Sequence, residues 1–357
     1  MYYSIFVSLL STYVSILLLN SLSNKLGLID RPCSRKLHQG EVPLVGGISI
    51  FFGIAAAFII CSELQQISIL FLISSAVIVF IGVLDDKYDL SVRSRIIGQL
   101  LVSSLLIFGL GDYISDLGNL FLLGNIDIGK FGITFTFIAI LAAINAYNMI
   151  DGIDGLLGGL AIVSFTGIAF LGISSHHFSS YLSVIFITAL IPFFLANLGI
   201  SPFKKVKIFM GDAGSMLIGL AVIWALVYGS QVTAIGEPIF RPIFALYVVA
   251  IPLMDMIAIM FRRLSKGQSP FKPDRDHIHH IFMRSGFSSK QALAFIVSSA
   301  LLILSIGIYG ELNQIKELYL LLIIISLFVI YIFAIKHAWK VTKIFKGILK
   351  GIRQWKF

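Results

Sequence analysis

Phe131-Gly-Ile-Thr-Phe-Thr-Phe-Ile-Ala-Ile-Leu-Ala-Ala-Ile144 runs into Asn145-Ala-Tyr-Asn148-Met-Ile-Asp151-Gly-Ile-Asp154-Gly155, and a second apolar run opens at Leu156. Two amides and two carboxylates at the mouth of apolar segments are costly in lipid. A charged side chain at a bilayer centre costs about 2.5–3.5 kcal/mol on insertion scales, less toward the interface. Asp151 and Asp154 are three apart, so on a helical turn they share one face. Taken alone, the stretch also fits a polar interfacial turn stabilised by its glycines. The two readings part on whether other acids collect at the same membrane face.

Of the 357 residues 58% are apolar, and the mean hydropathy is +0.96, outside the range of ordinary soluble domains. Hydropathy predicts an all-α polytopic integral membrane protein: one transmembrane domain over residues 1–357, with a basic cytoplasmic tail from about 337 to 357. Eleven spans are expected near 2–22, 44–61, 68–84, 97–111, 131–147, 156–173, 180–198, 214–229, 240–261, 291–309 and 317–336. The first has no basic flank and no small-residue cleavage site, so it reads as a retained span. The mixed segment Gly111 to Lys130 is expected to form a short external hairpin or re-entrant piece. Cys33 and Cys61 fall on opposite membrane faces in this topology, which argues against a disulfide framework.

Orientation follows from Lys and Arg. One set of loops, with the C-terminal tail, carries 24 of the 27; the opposite face has Lys130, Arg241 and Lys316. The N-terminus is therefore placed on the periplasmic side and the C-terminus in the cytoplasm. The formal charge of +9 is mostly an orientation signal, not a nucleic-acid footprint, and the basic tail suits anionic membrane lipid.

On this topology the acids gather on the cytoplasmic face. Asp85-Asp86-Lys-Tyr-Asp89 follows the third span, Asp151 and Asp154 follow the fifth, and Asp212, between Gly211 and Gly214, precedes the eighth. Hard oxygen ligands in such clusters suit Mg²⁺ shared with substrate phosphates. Glycines around Asp212 allow close backbone approach to a ligand. Each cluster alone is also compatible with a capped interfacial turn. Pro273-Asp-Arg275-Asp-His277-Ile-His279-His280 has the composition of a pyrophosphate clamp, with zinc binding or a solvated loop as alternatives. Lys36 lies ahead of Pro43-Leu-Val-Gly-Gly47, a cation beside a glycine-rich span. Asp255 lies inside the ninth span, where an acid is a functional candidate by default, though pairing with a neighbouring helix serves equally.

Taken together, Arg35-Lys36…His38, Pro43 to Gly47, Asp85-Asp86-x-x-Asp89, Asn145 to Gly155, Phe209-Met-Gly-Asp212-Ala-Gly-Ser215, Ile251-Pro-Leu-Met-Asp255 and Ser269 to His280 resemble the polyprenyl-phosphate N-acetylhexosamine-1-phosphate transferases. This is the glycosyltransferase 4, or MraY-like, family. The resemblance implies transfer of GlcNAc-1-phosphate from UDP-GlcNAc to undecaprenyl phosphate on the cytoplasmic face of a bacterial inner membrane. It implies Mg²⁺, or Mn²⁺ in its place, as cofactor, a multi-pass fold, and a homodimer as a further expectation. The product would open an envelope polysaccharide such as O-antigen or enterobacterial common antigen. UDP-MurNAc-pentapeptide and UDP-GalNAc are the alternative donors, and a transporter is the reading from a different class.

Carried over by position, Asp212 and Asn148 match metal-binding residues, and Phe209, Asn197 and Asn145 match the nucleotide side. Asp85, Asp86, Asp151 and Asp154 match catalytic carboxylates. Arg275, His277, His279, His280 and Lys36 match phosphate and sugar contacts. Ile278 interrupts the run of three histidines found in the peptidoglycan branch, which favours UDP-GlcNAc over the MurNAc donor.

Overall fold

The structure is a computed structural model that describes residues 1–31, 40–61, 65–173, 177–204, 206–232, 236–270, 277–337, 339 and 342–343. Its helices are α1 (Tyr2–Leu26), α2 (Gly46–Cys61), α3 (Gln66–Tyr88), α4 (Val92–Gly109), α5 (Phe131–Ile150), α6 (Leu156–Gly172) and α7 (Phe178–Asn197). They continue as α8 (Gly211–Ser230), α9 (Ile243–Val248), α10 (Ala250–Ser265), α11 (Ile278–Arg284), α12 (Ser289–Leu312) and α13 (Glu317–Lys336). Every apolar run read from the sequence is helical. Among the described residues eight helices are long and apolar enough to cross a membrane (α1, α3, α4, α5, α7, α8, α12 and α13), and α2 and α6 are shorter apolar helices.

The run 240–261 departs from expectation, because it is two helices broken at Val249. Pro252 explains the break: it has no N–H to donate and its ring crowds the carbonyl four residues back, that of Val248. An unpaired carbonyl inside an apolar bundle must find another donor. Ser164 of α6 supplies it, its Oγ donating to Val248 O at 2.9 Å while lying 2.6 Å from the Tyr147 hydroxyl. Ser164→Ala leaves both groups without that partner and is expected to destabilise the protein by about 1–2 kcal/mol. A lower unfolding midpoint in detergent, at unchanged helix content, checks this.

α8 is the axis of the bundle, with every residue from Ala213 to Ser230 buried. A helix that is apolar all round belongs at a core. Around it stand α2, α3, α5, α6 and α7; α1 lies on α2 and α7, α4 on α3 and α5, and α13 on α10. Glycines set how closely the inner helices approach. A Cβ on Gly47 would lie 2.2 Å from Gly214 N, and one on Gly82 would lie 2.2 Å from Ala213 Cα. Away from α8 the helices expose Phe6, Leu18, Ile60, Phe80, Phe108 and Ile330, as a lipid-facing surface does. Between α4 and α5 the chain makes the expected short hairpin, with Asp116 and Asp127 bridged antiparallel and Gln231 accepting from the Ser115 and Asp116 amides. A two-stranded piece, β1 (Ile29–Asp30) with β2 (Val42–Pro43), leads the chain from α1 into α2.

Candidate active site

The first backbone N–H groups of a helix have no partner within it. At the start of α8 they are met by the last turn of α3: Asp86 Oδ1 accepts from the Asp212 N–H at 2.8 Å, and Oδ2 from the Ala213 N–H at 3.3 Å. Gly211 makes the approach possible. Its φ of +71° is strained for other residues, and a Cβ there would lie 2.5 Å from Asp86 Oδ2. The stretch leading into α8 is clasped by the Pro43–Gly47 segment. The Phe209 N–H donates to Pro43 O at 2.8 Å, and the amides of Gly46 and Gly47 donate to Phe209 O and Met210 O at 3.0 Å. Two motifs more than 160 residues apart thus form one backbone frame.

Asp212 stands in that frame beside Asn148 from the last turn of α5. Asn148 Nδ2 donates to Asp212 Oδ1 at 2.7 Å and to Ser215 Oγ at 2.8 Å. The residues expected to share a metal are therefore adjacent, joined across α5 and α8. The preceding carboxylate of α3 is held by other donors. Asp85 is almost wholly buried, with Oδ1 accepting from the Leu90 N–H at 2.8 Å and Oδ2 paired with Arg95 Nη1 at 3.1 Å. It fixes the turn between α3 and α4, where Asp89 closes α3 in the left-handed region at φ 51°. Asp85 and Asp86 both feel the charge of Asp212, so three acids crowd one place.

Asp151 follows the last turn of α5 and is exposed. Desolvation by the protein around it, with the charges of Asp212 and Asp154, pushes its carboxyl up. Asp154 is held by Lys207, Nζ to Oδ2 at 2.6 Å, and the same ammonium lies 5.4 Å from the centre of the Phe209 ring. By sequence Lys207 is one charge in a basic loop, and no local pattern announces its pairing with Asp154, 53 residues away. Asn197 is buried and structural in its contacts: Oδ1 accepts from the Gly155 N–H at 2.5 Å, and Nδ2 donates to Ile208 O at 2.8 Å. It ties the start of α6 to the chain before Phe209. Asn145 bridges to Gln99 of α4 at 2.9 Å and to its own helix at Leu141 O.

The histidines meet this group from α11. Their rings form a row, His277 and His279 parallel with centroids 5.8 Å apart, and His279 and His280 4.2 Å apart. The row abuts the Asp151–Asp154 turn, since a Cβ on Gly152 would lie 2.1 Å from His279 Nε2. His277 and Asp255 form a buried pair, Nδ1 to Oδ2 at 2.6 Å. Lys36 and Arg275 lie outside the described residues.

His279 is 1% exposed, and neither ring nitrogen has a hydrogen-bond partner among the described residues. Burial, with the neighbouring charges of His280 and His277, pushes its pKa down to about 3. The unfolded chain takes up a proton near the ordinary histidine value of about 6.5, which the folded state refuses until about 3. Stability is therefore lost as pH falls through that window. Unfolding midpoints in detergent at pH 7.5 and 5 are expected to differ less for His279→Gln than for the wild type.

Oxygen donors dominate the centre of the site. Among the described residues no three Asp, Glu, His or Cys side chains converge on a metal-sized point. The Asp212 carboxylate and Asn148 amide fit a hard cation that takes its other ligands from substrate phosphates and water, which is the habit of Mg²⁺. The crowding of Asp85, Asp86 and Asp212 gives such a cation an electrostatic reason to bind there.

Membrane-length apolar helices around a buried axis, with carboxylates, amides and histidines gathered where that axis begins, define a multi-pass membrane protein with an oxygen-rich polar site. The profile of Glycosyl transferase family 4 matches residues 68–230. The chain is 46% identical over 332 residues to the undecaprenyl-phosphate alpha-N-acetylglucosaminyl 1-phosphate transferase of Yersinia pestis, covering 92% of this chain and 90% of the relative. It is 45% identical over 335 residues to the protein of that name from Escherichia coli K12, covering 93% and 90%. With the one from Haemophilus influenzae it shares 40% over 342 residues, 95% of each chain. The chain belongs to glycosyl transferase family 4. The profile match takes in Asp85, Asp86, Asn148, Asp151, Asp154, Asn197, Phe209 and Asp212, and ends before Asp255 and the histidines of α11.

Proposed function

We propose that the chain transfers GlcNAc-1-phosphate from UDP-GlcNAc to undecaprenyl phosphate, giving undecaprenyl-diphosphate-GlcNAc and UMP. The observation that carries this is the 46% identity, over nearly the whole chain, to a relative named for that transfer. The remaining details of topology are part of the same reading: eleven spans, N-terminus periplasmic, and the site on the cytoplasmic face of a bacterial inner membrane. The grouping of the acids with the basic helix ends supports it. The product then begins a cell-envelope polysaccharide such as O-antigen or enterobacterial common antigen.

The lipid phosphate attacks the sugar-proximal phosphorus of UDP-GlcNAc, forming a new P–O bond as the bond to UMP breaks. A phosphate monoester has a second pKa of about 6, so near neutral pH the acceptor is largely a dianion without a strong base. Asp85 and Asp86 hold backbone amides and Arg95, which supports direct attack over a phospho-aspartyl intermediate. Their work on this reading is to fix the start of α8, with a modest share in orienting or deprotonating the acceptor. Asp212 and Asn148 hold Mg²⁺, or Mn²⁺ in its place, which when bound neutralises charge on the diphosphate. Phe209 offers its ring to uracil, with Asn197 and Asn145 holding the walls of the nucleotide side. Asp151 and the Asp154–Lys207 pair line that side, while His277, His279, His280, Arg275 and Lys36 serve phosphate and sugar.

Membranes carrying the protein, given labelled UDP-GlcNAc, undecaprenyl phosphate and Mg²⁺, are expected to form labelled lipid diphosphate and release UMP. Faster transfer from UDP-GalNAc or UDP-MurNAc-pentapeptide, offered in parallel, would reassign the donor. Lipid-free enzyme is expected to show no isotope exchange between UMP and UDP-GlcNAc; exchange would mean a phospho-enzyme.

A further inference from the structure

Asp255 is a carboxylate with 0% exposure on α10, which packs against α5, α12 and α13, and the transfer mechanism above makes no use of it. A buried carboxylate is tolerated when its oxygens are met by donors from well-placed groups. Here the donors come from the segments around it. Oδ2 lies 2.6 Å from His277 Nδ1, while Oδ1 accepts from the Ile278 N–H at 3.1 Å and from the Tyr331 hydroxyl at 2.8 Å. Three segments of chain therefore converge on one side chain: α10, the start of α11, and α13. An ionised carboxylate only accepts, so His277 must carry its hydrogen on Nδ1. That contact fixes both the tautomer and the rotation of the ring, and leaves Nε2 as the nitrogen that can meet another molecule. The His277 ring lies parallel, within 8°, to that of His279, which abuts Gly152 of the acidic turn.

We propose that Asp255, braced by Tyr331, is a positioning residue for the transfer. It holds His277 in the Nδ1–H tautomer, so that Nε2 is an acceptor presented to a hydroxyl group of the sugar nucleotide. The proposal rests on the functional reading above. It assigns to the last helix, α13, a part in the site through a single hydroxyl group. It also accounts for the buried acid by its histidine, with no proton or ion passing through the bundle.

The test combines kinetics with a measurement that needs no turnover. In ¹⁵N-histidine spectra of the solubilised protein, the His277 signals, assigned by their loss in His277→Ala, should show the Nδ1–H tautomer. Asp255→Asn should abolish that preference. In the transfer assay, Asp255→Asn should lower kcat/KM for UDP-GlcNAc about 10-fold to 100-fold, mainly by raising KM for that substrate. KM for undecaprenyl phosphate should stay unchanged. Tyr331→Phe, which removes only the hydroxyl, should raise the same KM by a few-fold. The double variant Asp255→Asn/His277→Ala should be no worse than His277→Ala alone, because one residue acts through the other. An unchanged His277 tautomer in Asp255→Asn, additive losses in the double variant, or equal rises in both KM values would each overturn the proposal. Wild-type protein with the predicted tautomer but no GlcNAc-1-phosphate transfer would defeat the functional reading and, with it, the role given to Nε2.

Discussion

Asp212→Asn is expected to reduce transfer by at least about 10²–10³-fold, the size of effect seen when one charge-stabilising group is removed from a preorganised site. The substitution keeps the shape of the side chain. Asn148 Nδ2 now donates to Asp212 Oδ1 at 2.7 Å, and an amide oxygen in that place accepts the same bond. The Asp212 backbone N–H, held by Asp86 at 2.8 Å, is untouched. The start of α8 therefore survives, and what disappears is the negative charge that a divalent cation needs. Two measurements separate loss of site from loss of fold. The unfolding midpoint without ligand should stay close to wild type, while the stabilisation given by Mg²⁺ with UDP-GlcNAc should vanish. Undiminished transfer by the variant would remove Asp212 as the essential metal-holding residue.

Gly82→Ala should also be damaging, although it adds only one methyl group and removes no charge. In an exposed helix this exchange stabilises by about 1 kcal/mol. At Gly82 the new Cβ would lie 2.2 Å from Ala213 Cα, 2.4 Å from Ala213 N and 2.8 Å from Asp212 C. All three are backbone atoms of α8, so no side chain can turn aside. α3 has to retreat from α8, and it carries Asp86 with it. Overpacking of this kind costs about 1–3 kcal/mol or more, and the retreat lengthens both hydrogen bonds that set the Asp212 turn. A lower unfolding midpoint is expected together with a loss of transfer of about tenfold or greater. Gly109→Ala in α4 is the control. Its Cβ would approach Leu70 Cδ1 at 3.1 Å, the free end of a side chain that can move. Activity within about twofold of wild type is expected there, since surface-like adjustments cost little. Equal damage from both substitutions would deny Gly82 its special place.

Much of the site was legible because its polar residues stand where apolar runs stop. Asp86, Asn148, Asp151 and Asp212 each lie within a turn of a helix end, and hydropathy finds helix ends without knowing the fold. Lys207 is not legible as a site residue, because a lysine beside a span serves equally well as an orientation signal. Pairing with a neighbouring helix is one of two readings the sequence allows for Asp255, but the partners themselves are not legible there, since they lie 22 and 76 residues away. The break at Val249 is invisible to hydropathy, because a window averages over a proline that the backbone cannot ignore.

The sequence by itself determined that this chain is a bundle of apolar helices, which ends of it are basic, and which acids lie near those ends. These are properties of linear segments, summed residue by residue against lipid or water. Only the tertiary structure decided how the acids divide their work. Asp85 turns to Arg95, Asp86 caps α8, Asp154 is held by Lys207, and Asp212 meets Asn148. A carboxylate's role follows from which donor reaches it. That is fixed by helix approach, here by Gly47 and Gly82, which let α2 and α3 close on the first turn of α8.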